Sequence, residues 1–103
     1  MAEYTILVGS NDPMRRRFLE TVLERAGHHA IGASSALEAT SATANGAERL
    51  HLIVLDRTFG EDAAAPLRAM YPGVPVLVVE HENSAELLTV VGQRLARPPA
   101  ENA

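Results

Sequence analysis

Leu50-His51-Leu52-Ile53-Val54-Leu55-Asp56 is the stretch on which the fold turns. It is apolar apart from His51, too short for a stable helix, and stops at an aspartate, which is how a parallel strand buried on both faces reads. Such a strand needs helices above and below it, and the flanking sequence supplies the alternation. Tyr4-Thr5-Ile6-Leu7-Val8 is β-rich and ends at the turn residues Gly9-Ser10-Asn11. Asp12-Pro13 then reads as an N-cap followed by proline at the first helical position, where its fixed φ and missing N–H are harmless. Met14, Phe18, Leu19, Val22, Leu23 and Ala26 recur at helical spacing, and Gly27 is placed to end the helix.

His28 to Ala33 alternates weakly and predicts a short second strand. Ser35-Ala36-Leu37-Glu38 has capping-box spacing, which predicts a helix from there to Ala44, stopped by Asn45-Gly46. Residues 61 to 71 have room for a short helix, but Pro66 removes a bond inside it, so the expected helix is one or two turns long or starts at the proline. Val74-Pro75-Val76-Leu77-Val78-Val79 reads as another buried strand with its proline near the start. Asn83 with Glu86 has cap spacing, and Leu87, Leu88, Val91 and Leu95 share one face of a last helix closed by Pro98-Pro99. Residues 99–103 are expected to be a disordered tail on a single domain of residues 1–98.

Composition agrees with this reading. The chain of 103 residues is 47% hydrophobic but only 4% aromatic, so its core is built from Ala, Val, Leu and Ile. Its net charge of −4 argues against nucleic-acid binding, which rests on phosphate neutralisation by Lys and Arg. There is no cysteine, which excludes a thiol nucleophile and a Cys-based zinc or iron–sulfur site. No apolar run approaches the roughly 18 residues of a membrane span, and Met1-Ala2-Glu3-Tyr4 lacks a signal peptide's basic start, so a cytoplasmic chain without membrane contact is expected.

Strands alternating with helices imply a parallel α/β sheet, whose sites form outside the carboxyl ends of the strands. That rule singles out Ser10, Asn11 and Asp12 after the first strand, Asp56 to Thr58 after the third, and Glu80 with His81 after the last. His28 and His29 are adjacent, so on a strand they face opposite ways and cannot chelate together. Glu80-His81-Glu82 holds ligand-type residues, but three consecutive loop positions make a poor metal motif. Arg15-Arg16-Arg17 falls in the first turn of its helix, where cations oppose the macrodipole. A local rule broken without evident gain marks the three as a candidate partner surface.

In this order the segments resemble a response-regulator receiver domain of two-component signalling. Ile6-Leu7-Val8-Gly9-Ser10-Asn11-Asp12-Pro13 with the helix after it and Gly27 is similar to the family's first strand, acidic loop and first helix. Leu52-Ile53-Val54-Leu55-Asp56 is similar to its third strand with the phosphoacceptor aspartate, Pro75-Val76-Leu77-Val78-Val79 to its fourth, and Ala85-Glu86-Leu87-Leu88 to its last helix. The resemblance implies a flavodoxin-like parallel sheet of four to five strands with helices on both faces. It implies Asp56 as phosphoacceptor. If Asp56 does accept a phosphoryl group, Asp12, Asp56 and the backbone of Thr58 are the positions that would hold Mg²⁺.

The chain departs from the family where the chemistry is concentrated. Receivers carry two acidic residues after the first strand to hold magnesium, and Ser10 and Asn11 stand there instead, a vestigial pocket with only Asp12 acidic. The switch Ser or Thr is replaced by Glu80 and its small neighbour by His81, and the family's lysine has no clear counterpart. Beyond Asp56 the chain is short by roughly one strand–helix unit, which shortens its C-terminal half. Either the fourth helix and fifth strand are missing, or Val76 to Val79 is itself the fifth strand.

The expected function is therefore that of an atypical receiver, or pseudo-receiver: a non-enzymatic protein–protein interaction module that needs no cofactor and works without ordinary Asp phosphorylation. Its expected partner is a histidine kinase, a phosphotransfer protein or a downstream regulator. An open sheet edge after the last strand makes a homodimer a further expectation. The alternative is a working phosphoacceptor using Asp56 and Mg²⁺ in a phosphorelay. A third reading, a flavodoxin-like nucleotide or flavin binder, lacks a G-x-G-x-x-G or P-loop after the first strand.

Overall fold

The computed structural model describes residues 4–35, 38, 50–59, 61–80 and 83–96. Four strands, β1 (Thr5–Gly9), β2 (His29–Ala33), β3 (Leu52–Asp56) and β4 (Val76–Val79), form one parallel sheet in the order β2-β1-β3-β4. Helix α1 (Pro13–Arg25) joins β1 to β2, a 3₁₀ turn (Arg57–Phe59) and α2 (Glu61–Met70) join β3 to β4, and α3 (Ser84–Ala96) follows β4. This is the flavodoxin-like arrangement, in which crossovers to either side of β1 place helices on both faces.

The strands form where expected, and the register sets aliphatic residues side by side at the centre of the sheet. Ile6 lies between Ala30 and Leu52, and Ile53 pairs with Val76, so every central residue is covered from above or below. All five residues of β3 are buried. On one face Ile6, Val8, Leu52, Val54, Leu77 and Val79 pack against Leu19, Val22 and Leu23 of α1 and Leu87 and Val91 of α3. On the other, Leu7, Ile53 and Leu55 pack against Phe59 and against Ala64 and Leu67 of α2. Each fully buried aliphatic side chain contributes about 1.5–3 kcal/mol.

Helix ends follow the sequence signals closely. Asp12 caps α1 by accepting from Met14 N at 3.0 Å, and Gly27 takes the left-handed φ of +96° just past the last turn. Asn83 and Glu86 form a reciprocal capping box at the start of α3, with bonds of 3.0 and 2.9 Å. Met14 departs from its expected place on the apolar face: it is 82% exposed, and the buried residues of α1 begin at Leu19. Leu88, 37% exposed, lines a groove of α3 against Phe18, Thr21 and Val22 of α1.

Two other expectations are corrected. Pro66 neither starts nor shortens α2, which runs through it for ten residues. Ala64 and Leu67 hold the helix to the sheet while Pro66 faces solvent, where water can serve the carbonyl that the proline leaves unbonded. The choice left open for Val76–Val79 is also decided: the strand pairs with β3, the fourth position of the 2-1-3-4-5 order, and no fifth strand occurs among the described residues. The helix expected from Ser35 to Ala44 lies outside the described residues except at its start, where Ser35 Oγ accepts from Glu38 N at 3.0 Å. His81 and residues 97–103, with the expected tail, also lie outside them.

Candidate functional site

β1 and β3 are neighbours whose connections leave in opposite directions, so the crevice at their carboxyl ends is the switch point of the sheet. Ser10 follows the end of β1 and Asp56 ends β3; both are polar and both are buried, at 0% and 3% exposure. A buried polar group costs free energy unless it is partnered, and these two partner each other. The Ser10 hydroxyl donates to Asp56 Oδ2 at 3.1 Å and accepts from Asp12 N at 3.2 Å. The Ser10 backbone is fixed on one side by its N–H to Ala33 O, 3.1 Å, and on the other by Arg16 Nη1 donating to Ser10 O, 3.2 Å.

The other oxygen of Asp56 faces a cation. Arg15 Nε lies 3.5 Å from Asp56 Oδ1, the separation of an ion pair rather than a tight hydrogen bond. The same guanidinium donates from Nη2 to the backbone carbonyl of Glu80 at 3.1 Å, and its Cζ lies 5.2 Å from the centre of the Phe18 ring. Helical side chains tilt toward the N-terminus, which is how a first-turn arginine of α1 reaches back over the ends of β3 and β4. Across the crevice Arg57 pairs with the Glu80 carboxylate. Two ion pairs therefore lie near these strand ends, Arg15 with the buried Asp56 and Arg57 with Glu80, the second of them largely exposed.

The residues singled out from the sequence distribute unevenly around this crevice. Ser10, Asp56 and Glu80 meet there. Asp12 is an exposed N-cap, Asn11 is exposed, and Thr58 lies in the 3₁₀ turn after Asp56. The arginine triplet divides: Arg15 turns to Asp56, Arg16 to the Ser10 carbonyl and to Glu20, 3.8 Å away, and Arg17 stays on the surface. The gain that offsets two cations against the macrodipole is therefore internal. Sequence reasoning missed Arg15 and Arg57 as the partners of Asp56 and Glu80; the one available signal was the misplaced charge in the first turn of α1.

Fit for a divalent ion is poor. Magnesium takes oxygen ligands and needs their negative charge, and the pocket offers one buried carboxylate already facing a guanidinium. No group of three or more His, Cys, Asp or Glu side chains placed to hold a metal occurs among the described residues.

Residues 5–102 match the protein family described as flagellar regulatory protein FleQ. The chain belongs to the FleQ family. Solved structures similar to this FleQ-family chain include response regulator receiver proteins. A response regulator receiver protein from Sinorhizobium medicae WSM419 is 23% identical, with 93% of this chain and 97% of that one covered and a TM-score of 0.77. Chemotaxis response regulator CheY4 of Vibrio cholerae is 17% identical over 90% and 99% of the two chains, with a TM-score of 0.76. NtrX from Brucella abortus, solved in complex with ADP, is 20% identical at a TM-score of 0.79. The match covers 92% of the FleQ-family chain but only 27% of the NtrX chain, so it concerns one part of that protein. No curated protein matches the sequence. At these identities the likeness establishes the fold, that of the receiver domains of two-component response regulators. Among the described residues no helix is long and apolar enough to cross a membrane.

Proposed function

We propose that this FleQ-family chain is a degenerate receiver, a protein–protein interaction module of two-component signal transduction that works without phosphorylation of Asp56. One observation carries the reading: both carboxylate oxygens of Asp56 already face donors of the chain itself, Ser10 Oγ at 3.1 Å and Arg15 Nε at 3.5 Å. A phosphoacceptor carboxylate has to present a free oxygen to the phosphorus, with a metal beside it to offset the charge that builds on the phosphoryl oxygens. Here the nucleophile is buried, and the residues at the metal-binding positions are Ser10 and Asn11.

On this reading the domain is not an enzyme, takes no cofactor, and signals by which protein occupies it. The partner is a signalling protein, a kinase, a phosphotransfer protein or a downstream regulator. A second copy of the chain is also a partner on this reading. β4 is one of the two outer strands among the described residues, and Val78 on it is 42% exposed. Sedimentation that stays monomeric up to millimolar protein would remove the homodimer.

Amide NMR of the protein with Mg²⁺, then beryllofluoride, then a small phosphoryl donor, tests the main reading. Spectra unchanged at Ser10, Asp56 and Glu80, together with an unchanged mass, are expected. Saturating shifts that spread from Asp56 to Glu80 would restore the phosphoacceptor alternative.

A further inference from the structure

The positive charge in the Asp56 pocket is part of the polypeptide. We infer that Arg15 is the pocket's resident cation: its guanidinium takes the place of a divalent metal and makes the site indifferent to such ions. This deepens the phosphorylation-independent reading and rests on it.

Three observations converge on Arg15. First, its guanidinium lies 3.5 Å from Asp56 Oδ1, and Asp56 is one of two buried polar side chains in the described structure, the other being its partner Ser10. An ionised carboxylate withdrawn from water needs a nearby positive charge as well as hydrogen bonds, and Ser10 supplies only the latter. Second, Arg15 is anchored at points beyond Asp56, by the Glu80 carbonyl at 3.1 Å and by the Phe18 ring under its Cζ at 5.2 Å. It is thus held over the crevice and does not merely swing through it. Third, the other acidic group at the crevice, Glu80, has its own arginine, Arg57. Each of these two carboxylates is thus already paired with an arginine of the chain.

A tethered guanidinium differs from a metal in one respect that matters for signalling. A metal site fills and empties with ion concentration, and its occupancy prepares the carboxylate for a phosphoryl group. A guanidinium neutralises the carboxylate without offering an open coordination position, so it stabilises the resting pocket and assists no transfer. It also joins the end of β3 to the end of β4 in every molecule, where a receiver responsive to metal and phosphate would make that link conditionally.

Manganese, a paramagnetic ion that accepts the same oxygen ligands, tests the assignment by broadening nearby amide signals. Wild-type protein is compared with Arg15→Ala, Arg15→Lys and Arg15→Ala/Asp56→Asn. Amides of Ser10, Asp56 and Arg57 should broaden in Arg15→Ala at a manganese concentration at least about tenfold below that needed in wild type. Arg15→Lys should behave as wild type, and the double variant should lose the response. A smaller difference between Arg15→Ala and wild type, whether both respond or neither does, would overturn the inference. If Arg15→Ala does not fold, Arg15→Gln, which keeps the aliphatic stem, is held to the same criterion. Beryllofluoride uptake by wild type defeats the functional reading and this inference together, whereas an inert wild type with an inert Arg15→Ala defeats only the role of Arg15.

Discussion

The backbone N–H of Thr5 donates to Nδ1 of His51 at 3.0 Å, so an imidazole just before β3 completes the hydrogen bonding at the start of β1. The two residues are joined a second time by His51 N donating to Thr5 O at 2.9 Å. The Tyr4 ring packs edge-on to His51 with centroids 5.1 Å apart. Replacing His51 with Phe keeps the ring contact and removes the acceptor. The unpaired N–H costs about 1–3 kcal/mol. In a chain of this size that is a fall in Tm of roughly 4–8 °C per kcal/mol, readable by circular dichroism.

His28, on the other side of Tyr4 at a centroid distance of 5.6 Å, makes the same end of the sheet sensitive to acid. Its Nδ1 is buried without a hydrogen-bond partner among the described residues, and burial holds its pKa below the usual 6.5. The unfolded chain therefore takes up a proton near pH 6.5 while the folded chain still refuses it. Stability from this group is complete above that pH and is lost as pH falls below it. Thermal melts from neutral to mildly acidic pH should show a falling Tm in wild type and a flatter profile in His28→Phe. Equal slopes in the two proteins would remove His28 as the cause.

Arg15 and Asp56 should be coupled energetically. Arg15→Gln leaves a buried carboxylate without its cation, and Asp56→Asn leaves a guanidinium without its anion, whereas the double variant is left with neither charge. Urea unfolding of the four proteins should give a coupling energy of about 1–3 kcal/mol. Additive losses would mean that the 3.5 Å approach carries no energy of its own.

Two glycines in neighbouring strands should respond to alanine with costs of different size. A Cβ on Gly9 would lie 2.8 Å from Leu55 Cδ2 and 3.0 Å from Phe59 Cε2, side chains locked in the core. Gly9→Ala should cost about 1–3 kcal/mol as overpacking. A Cβ on Gly32 would meet the Glu20 carboxylate, which can rotate away, so Gly32→Ala should cost little more than the Arg16–Glu20 pair, about 0.5 kcal/mol. Melting temperatures of the two variants rank them directly.

The strands and the caps were legible because each rests on a local signal. Apolar runs such as Leu52–Leu55 have one buried solution, and Asp12-Pro13, Gly27 and Asn83 with Glu86 satisfy helix ends within a few residues of themselves. The placement of Ser10 and Asp56 was legible for the same reason, since they end adjacent strands. Their counter-ion was not. Arg15 and Asp56 are 41 positions apart, and the partner of Arg15's second bond, Glu80, is 65 away. Only the crossing of α1 over the sheet brings them together. Pro66 misled because its penalty depends on which side of the helix faces water, and a sequence read without its fold does not contain that.

The bond from Arg15 to the Glu80 carbonyl has a consequence for how such a pocket can change over time. β4 is a border strand, paired on one side only among the described residues, and border strands are the first to open. The guanidinium that answers Asp56 also fastens that border, so the charge inside the crevice and the cohesion of the sheet's rim cannot be altered separately. A variant that traded Arg15 for a smaller residue would loosen its own margin in the same step, and would need another anchor for β4 to keep that rim closed.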